Sequence, residues 1–250
     1  VINMSYMFAD IGYPFETVND ISGWDTSKVT DMSGMFSGCS NLRTASNLSA
    51  WDTHSVVNMS NMFDGCASLK NGDFLSNWNT SSVTSMARVF DDCSSLTALN
   101  LSGWDTKAAM DMTGLFADCA KLKTIEGLSL WNTSAVTSMG RVFDGCSSLT
   151  SLDLKNWKTD TVTEMDGMFR HCYKLEIVEG LPLWNTSAVT DMTALFQGCS
   201  SLTSLDLSNW DTSSVTCMFA LFDCCDALAA LNLNGWDTSS VTDMGVMFES

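Results

Sequence analysis

The sequence predicts an α/β solenoid, in which strand-turn-helix units of 26 or 27 residues stack on one another. The first observation is a tryptophan that recurs at this interval along the whole chain. The second is that its neighbours recur with it, as in segments 205–216 and 231–242. A fixed period of this length indicates one repeated unit rather than a globular domain with a unique interior. The nine tryptophans are Trp24, Trp51, Trp78, Trp104, Trp131, Trp157, Trp184, Trp210 and Trp236.

The helical element is predicted from the apolar residues that follow each tryptophan. Counted from that tryptophan, valine stands at +5, methionine at +8, phenylalanine at +12 and cysteine at +15 in most units. Steps of three and four residues place these side chains on one face of a short helix. Glycine at +14 fits the end of that helix, as at Gly38, Gly65, Gly145 and Gly198.

The strand element is predicted from +18 onward, where leucines follow the pattern Leu-x-x-Leu-x-Leu. Leu149, Leu152 and Leu154 illustrate it. A period of two is typical of a short strand. Such a unit cannot bury its apolar face alone, so stacking must supply the missing contacts. Long repeated faces, rather than a pocket, are therefore the candidate functional surfaces.

These motifs resemble a known family. The stretch Leu-x-x-Leu-x-Leu-x-x-Trp is similar to the strand of a leucine-rich repeat. The remainder, Trp-Asp-Thr-Ser-x-Val-Thr-x-Met-x-x-Met-Phe-x-Gly-Cys-x-x-Leu, resembles the repeat of BspA-like bacterial surface proteins and of mycoplasma lipoproteins. The resemblance covers essentially all of residues 1–250, although residues 9–23 depart from it at Ile11 and Pro14. It implies a leucine-rich-repeat-type curved stack with a parallel sheet on its concave face, an extracellular location on the bacterial cell surface, and adhesion.

We expect a single solenoid segment that is cut from a longer protein. It comprises a partial unit 1–23, eight full units 24–235 and a partial unit 236–250. Solenoids need polar capping units to cover their ends, and neither end of this chain has one.

Composition excludes several classes of partner. The formal net charge is −17, with only 12 Lys and Arg residues, which argues against nucleic acid and anionic membrane surfaces. There is no apolar run long enough for a membrane span. A partner with a basic surface fits this charge, and divalent cations are permitted by it but not indicated.

Eight of the ten cysteines occupy one column, at +15. Neighbouring units could bring them to disulfide distance, but the column lies among inward-facing Phe and Leu, which favours a role as small apolar filler. Zinc needs four clustered ligands, and one cysteine per unit does not supply them. Cys217 and Cys224 lie outside the column, and a disulfide between them would require a broken helix.

The tryptophan column has two interpretations, a buried core column or an exposed stacking platform for sugars. The position matches the inward turn residue of a leucine-rich repeat, so we favour the core. Catalysis is not predicted, because an active site needs one unrepeated constellation and the two histidines, His54 and His171, lie in different columns several units apart. No cofactor or metal is expected.

One column of polar residues is a candidate binding surface on the concave sheet. Strand alternation turns it outward, beside a column of mostly small residues. The alternative, which the sequence leaves open, is that these residues are only the solvent-exposed polar side chains of the strands. The column comprises Ser46 and the seven residues Asp73, Asn100, Glu126, Asp153, Glu179, Asp206 and Asn232, which we call the acidic stripe.

These observations predict a non-catalytic surface protein that binds a protein or glycan on a host or neighbouring cell through the solenoid face. The alternative function is a structural spacer that presents another domain away from the cell surface. A cluster of differing exposed residues on the concave face would favour binding, and strict repetition would favour the spacer.

Overall fold

The structure, a computed structural model, describes residues 1–18 and 21–249. Three residues lie outside the described ones: Asn19 and Asp20 in the predicted partial unit 1–23, and Ser250 at the end of the predicted partial unit 236–250. Parallel bridges join equivalent residues of neighbouring units, as between Asp31 and Asn58. The predicted solenoid stacking is therefore confirmed.

Short parallel strands pair between neighbouring units where the sequence predicts the strand element, and they form three separate two-stranded sheets. In the described residues the strands are β1 (Ala98–Asn100), β2 (Thr124–Glu126), β3 (Ser151–Asp153), β4 (Ile177–Glu179), β5 (Ser204–Asp206) and β6 (Ala230–Asn232). They pair as β1–β2, β3–β4 and β5–β6. The central residues Leu99, Leu152 and Leu205 are buried while their neighbours are exposed. The alternation of leucines thus predicted the strands and their inward side.

3-10 helices accompany or replace the strands. Within the described residues they are η1 (Ser46–Ala50), η2 (Asp73–Leu75), η3 (Leu128–Leu130) and η4 (Leu181–Leu183). In the units of η1 and η2, single bridges such as Thr17 to Thr44 take the place of a strand pair. In the units of η3 and η4, by contrast, the strand is present. A single glycine separates β2 from η3 and β4 from η4.

The helix predicted between the tryptophan and the cysteine is wrong, since the described residues contain no α-helix. This segment is a series of turns in which alternate N–H groups donate to the next unit. Gly34 donates to the Ser60 carbonyl at 2.8 Å and Phe36 to the Met62 carbonyl at 2.9 Å. Ser37, which lies between the donors Phe36 and Gly38, donates back to the Gly34 carbonyl of its own unit at 3.0 Å. Hydrogen bonds between units therefore replace those of a helix, and we call this segment the turn ladder.

Two left-handed residues in each full unit explain why no helix forms. At +10, φ is 58° at Gly34 and 57° at Asn61, and at +14 it is 72° at Gly38 and 57° at His171. A left-handed residue cannot continue a right-handed α-helix. The glycines predicted to stop a helix at +14 are therefore turn positions, and a second left-handed position precedes them by four residues.

The core is a set of stacked columns. Phe36 and Phe63 stack with ring centroids 5.5 Å apart, and Trp131 and Trp157 stack at 6.0 Å. The tryptophans from 51 to 210 are at most 4% exposed, whereas Trp24 is 37% exposed. The core interpretation of the tryptophan column is confirmed for those seven, which offer no ring face to a sugar.

Candidate binding face

The acidic stripe lies on the outer surface of the strand ladder, which we call the sheet face. Strand pairing sets six of its residues side by side: Asn100 with Glu126, Asp153 with Glu179, and Asp206 with Asn232. All seven are exposed except Asn232, which is half-buried, and Asp73 lies in η2 rather than in a strand. Two carboxylates face each other directly only in the β3–β4 pair.

Four residues of the stripe also shape the turn that follows their strand. The Asp206 carboxylate accepts hydrogen bonds from the Ser208 hydroxyl at 2.7 Å and from its backbone N–H at 3.1 Å. These bonds hold the pKa of Asp206 below its ordinary value. In the same way, a side-chain oxygen accepts a hydrogen bond from the backbone N–H two residues later in the chain at Asn100, Asp153 and Asn232. This is Asx-turn chemistry, so ordinary turn polarity accounts for these four residues and Asn serves there as well as Asp.

Glu126 and Glu179 are each followed by a glycine instead of such a turn. Lys155 Nζ lies 2.7 Å from Glu179 Oε2, which raises the pKa of Lys155. Both side chains are about half exposed, so the pair adds little stability. It does reduce the negative charge of the stripe at Glu179.

Two equivalent clefts open in the sheet face between the strand pairs. The first, between β2 and β3, has a volume of about 300 Å³ and is lined by residues 125–129 and 151–153. The second, between β4 and β5, has a volume of about 220 Å³ and is lined by residues 176–178, 181–182 and 204–206. They lie two units apart in the stack.

The clefts follow from a glycine loop in the longer units. After β2 and β4, Gly127 and Gly180 have φ values of 98° and 106° and lead into η3 and η4. A Cβ atom on Gly180 would lie 2.7 Å from the Leu154 carbonyl oxygen, so a larger residue does not fit. This loop diverts the chain, and the next strand does not pair with the one before it.

Exposed apolar side chains accompany the clefts. Leu130 is 67% exposed, Leu183 is 70% exposed and Ile177 is 55% exposed. The two leucines end η3 and η4, and they stand directly before a tryptophan, where other units have Gly, Ala or Asn. This departure from the repeat is visible in the sequence, but the prediction of the binding surface did not take it into account.

The cysteine column is unbridged and is buried except for Cys225, which is half-buried. Every cysteine is free, and the column thiols donate to a phenylalanine carbonyl of the preceding unit, as Cys146 does to Phe116 at 3.1 Å. Burial raises the pKa of these thiols. The apolar-filler interpretation is therefore confirmed. Outside the column, Cys217 accepts a 3.0 Å hydrogen bond from the Thr193 hydroxyl, and Cys224 is exposed.

An unrepeated charge cluster lies on the turn ladder, away from the predicted stripe. The Asp144 side chain is only 2% exposed and contacts Arg170 at 2.6 Å and Arg141 at 2.9 Å. His171 Nδ1 lies 3.7 Å from the same carboxylate. The hydrogen bond to Asp144 raises the pKa of Arg170. Arg170 was missed because its column otherwise holds small, acidic or amide residues. Arg141 shares its column with Arg88, which forms a similar pair with Asp91 at 3.8 Å.

His54 forms contacts that superficially match a catalytic arrangement. Its Nδ1 lies 2.7 Å from Asp52 Oδ1 and its Nε2 lies 3.0 Å from Ser55 Oγ. The Ser55 hydroxyl, however, donates to the Ser27 carbonyl at 2.8 Å, and both His54 and Asp52 side chains are 54% exposed. Asp52 also accepts the His54 N–H, so this is the turn that recurs after the tryptophans. These contacts give no support to a reaction.

The parallel ladders and the stacked aromatic columns define a solenoid repeat protein with an exposed sheet face. Among the described residues, no helix has the length and hydropathy needed to cross a membrane. The chain belongs to the family described as Mycoplasma protein of unknown function, DUF285, whose profile matches residues 2–125, 96–180 and 174–250. No curated protein matches this sequence.

Several solved structures are similar to this chain. A leucine-rich repeat protein from Bacteroides ovatus is 15% identical over 97% of this chain and 78% of that one, with a TM-score of 0.35. The Listeria monocytogenes internalin InlF is 16% identical over 93% and 75%, with a TM-score of 0.27. The functional domain of InlJ from the same species, described as including a cysteine ladder, is 12% identical over 89% and 54%, with a TM-score of 0.26. At such TM-scores, only the ladders of this chain itself support the solenoid assignment.

Proposed function

We propose that this chain is a non-catalytic binding segment of a BspA-like bacterial cell-surface protein. It attaches through its sheet face, as the concave side of the solenoid, to a protein or glycan of a host or neighbouring cell. The observation that supports this proposal is the exposed acidic stripe beside two clefts. The net charge of −17 favours a partner with a basic surface, because complementary charge speeds encounter and excludes wrong partners.

The test uses a variant, called stripe-neutral, that lacks four of the five carboxylates of the stripe, all but Asp73, and keeps its turns. The variant carries Glu126→Gln, Asp153→Asn, Glu179→Gln and Asp206→Asn, and Asn already occupies this column at Asn100 and Asn232. Phage-displayed random peptides are selected on the parent chain. We expect the enriched peptides to be rich in Lys and Arg, and to bind the variant more weakly.

The control variant removes the same number of charges from another column. It carries Asp25→Asn, Asp105→Asn, Asp211→Asn and Asp237→Asn, where Asn79, Asn132 and Asn185 show that the turn accepts Asn. We expect it to bind the selected peptides like the parent. Equal loss in both variants would indicate net charge alone, and no loss in either would mean that the binding face lies elsewhere. Failure of the selection to enrich any peptide would favour the structural spacer. Antibody labelling of intact cells of the source bacterium tests the surface location.

A further inference from the structure

The two clefts have the size of a side-chain pocket. Their volumes of about 300 and 220 Å³ are at or below the lower end of the range for small-molecule sites, which is about 300–1,000 Å³. The first has Ile125 and Leu152 in its lining, and the second has Val178 and Leu205. The leucines are buried and the other two are half-buried. Each cleft therefore suits one apolar side chain of a larger ligand.

Carboxylates line the same clefts and select the charge of the ligand. Glu126 and Asp153 line the first cleft, and Glu176 and Asp206 line the second. A second copy of this chain carries the same charge of −17 and is repelled, as is an anionic lipid surface. A segment that combines aliphatic residues with Lys or Arg complements both the apolar lining of each cleft and the carboxylates beside it.

The spacing of the clefts selects the conformation of the ligand. The clefts lie between unpaired strands, so the spacing of paired strands, about 4.8 Å, does not apply across them. The phenylalanines of the same units stack at 5.7 Å (Phe116 to Phe143) and 5.9 Å (Phe143 to Phe169), so the two clefts lie about 12 Å apart. Same-side residues i and i+4 of an extended β-strand are about 13 Å apart, which fits this spacing. Residues i and i+3 of a polyproline II segment are only about 9 Å apart, and residues i and i+2 of a strand only about 7 Å, which fit less well.

We propose that the sheet face binds an extended basic segment of a partner protein along the solenoid axis. The segment, in extended β conformation, inserts two aliphatic side chains four residues apart into the two clefts and places Lys or Arg beside Glu126, Asp153 and Asp206. Leu130 and Leu183, which are 67% and 70% exposed, offer further apolar contact beside each cleft. This inference rests on the proposed function and specifies the chemistry of the partner.

The probes are fluorescent synthetic peptides of equal composition that differ only in leucine spacing. Lys-Leu-Pro-Lys-Leu-Lys has its leucines three residues apart, Lys-Leu-Pro-Leu-Lys-Lys two apart, and Leu-Pro-Lys-Lys-Leu-Lys four apart. Fluorescence anisotropy with the full 250-residue chain measures each dissociation constant. We expect the third peptide to bind about tenfold more tightly than the other two.

A cleft-filling variant supplies the structural control. Ser151→Ile with Ser204→Ile places in each cleft a side chain that the same strand position already carries at Ile177. We expect this variant to bind the third peptide about tenfold more weakly. Ala98→Ile, at the equivalent position outside both clefts, should bind it like the parent.

The outcomes separate this inference from the proposed function. Equal affinity for all three peptides, with binding lost in the stripe-neutral variant, would overturn the cleft spacing and leave the proposed function standing. Unchanged binding by the cleft-filled variant would also overturn the spacing. Failure of all three basic peptides to bind the parent would overturn both.

Discussion

The indole Nε1–H of Trp157 donates a 3.0 Å hydrogen bond to the Leu128 carbonyl in the preceding unit. Trp131 is equally buried, yet its indole N–H has no partner among the described residues. In the unit before Trp131, the equivalent carbonyl belongs to Leu101, and Gly127 packs against it: a Cβ on Gly127 would lie 2.7 Å from the Leu101 carbonyl carbon. The glycine loop that opens the first cleft therefore accompanies the loss of an indole hydrogen bond.

This difference predicts unequal effects of the same substitution. We expect Trp157→Phe to lower the free energy of unfolding by about 1–2 kcal/mol more than Trp131→Phe does. The substitution removes a hydrogen bond at Trp157, whereas at Trp131 it removes a buried N–H group that has no partner. Urea unfolding followed by circular dichroism measures both. Equal losses would mean that both indoles are paired in solution.

The cysteines should differ sharply in reactivity. We expect Cys224 to react first with a thiol reagent because it is exposed, whereas the buried column should react only on unfolding. Cys225 should be slow as well, since burial raises its pKa to about 11. Thiol counts in native and denatured protein measure this, and Cys224→Ser should remove the fast phase alone. Disulfides in the native column would contradict the filler role.

Asp91 should make stability depend on pH. Burial, together with the charges of Asp64 and Asp118, raises its pKa from 3.8 to about 6. The folded state then binds more protons than the unfolded state between these values, so this contribution to stability is present at low pH and is lost as pH rises through about 6. We expect Asp91→Asn to raise the free energy of unfolding by about 1–3 kcal/mol above pH 7 and by little near pH 4.

The control for this prediction is Asp25→Asn. Hydrogen bonds from Ser27 lower the pKa of Asp25, so its contribution to stability is present above its unfolded pKa and is lost as pH falls through the folded one. This substitution should bring no gain at pH 7. A gain of the same size in both variants would indicate relief of overall charge repulsion instead of burial of Asp91.

The buried carboxylate of Asp144 should depend on its arginines. We expect Arg170→Met to lower the free energy of unfolding by about 2–4 kcal/mol, because it leaves a buried charge with one cation fewer. Adding Asp144→Ala should restore most of that loss, as Ala117 occupies the same column in another unit. Denaturant unfolding of the two single variants and the double variant measures the coupling. Strictly additive losses would contradict the pairing.

The sequence predicts the stacking, the strands and the buried columns, because each depends on side chains that recur with the period. It does not predict the absence of the helix. Stacked turns also place apolar residues at steps of three and four, and the left-handed backbone at Arg88, Arg141 and His171 has no glycine to mark it.

The candidate site is predicted only in part for a related reason. The outward column follows from strand alternation, but the turn role of Asp206 depends on its hydrogen bonds to Ser208. The clefts depend on one additional residue, at Gly127 and Gly180, whose effect is to prevent strand pairing. A consensus of all units hides features that only two units have. In the sequence, these two units differ from the others by Leu130 and Leu183, which are exposed in the structure.

Attachment of a partner to the sheet face is tested most directly by amide hydrogen exchange of the full chain, with and without saturating Leu-Pro-Lys-Lys-Leu-Lys. The predicted result is slower exchange in the cleft linings at 125–129, 151–153, 176–182 and 204–206, with the turn ladder at 34–38 unchanged. Slower exchange confined to the turn ladder around Arg141 and Arg170, or no change anywhere under saturation, would contradict the sheet face as the binding surface.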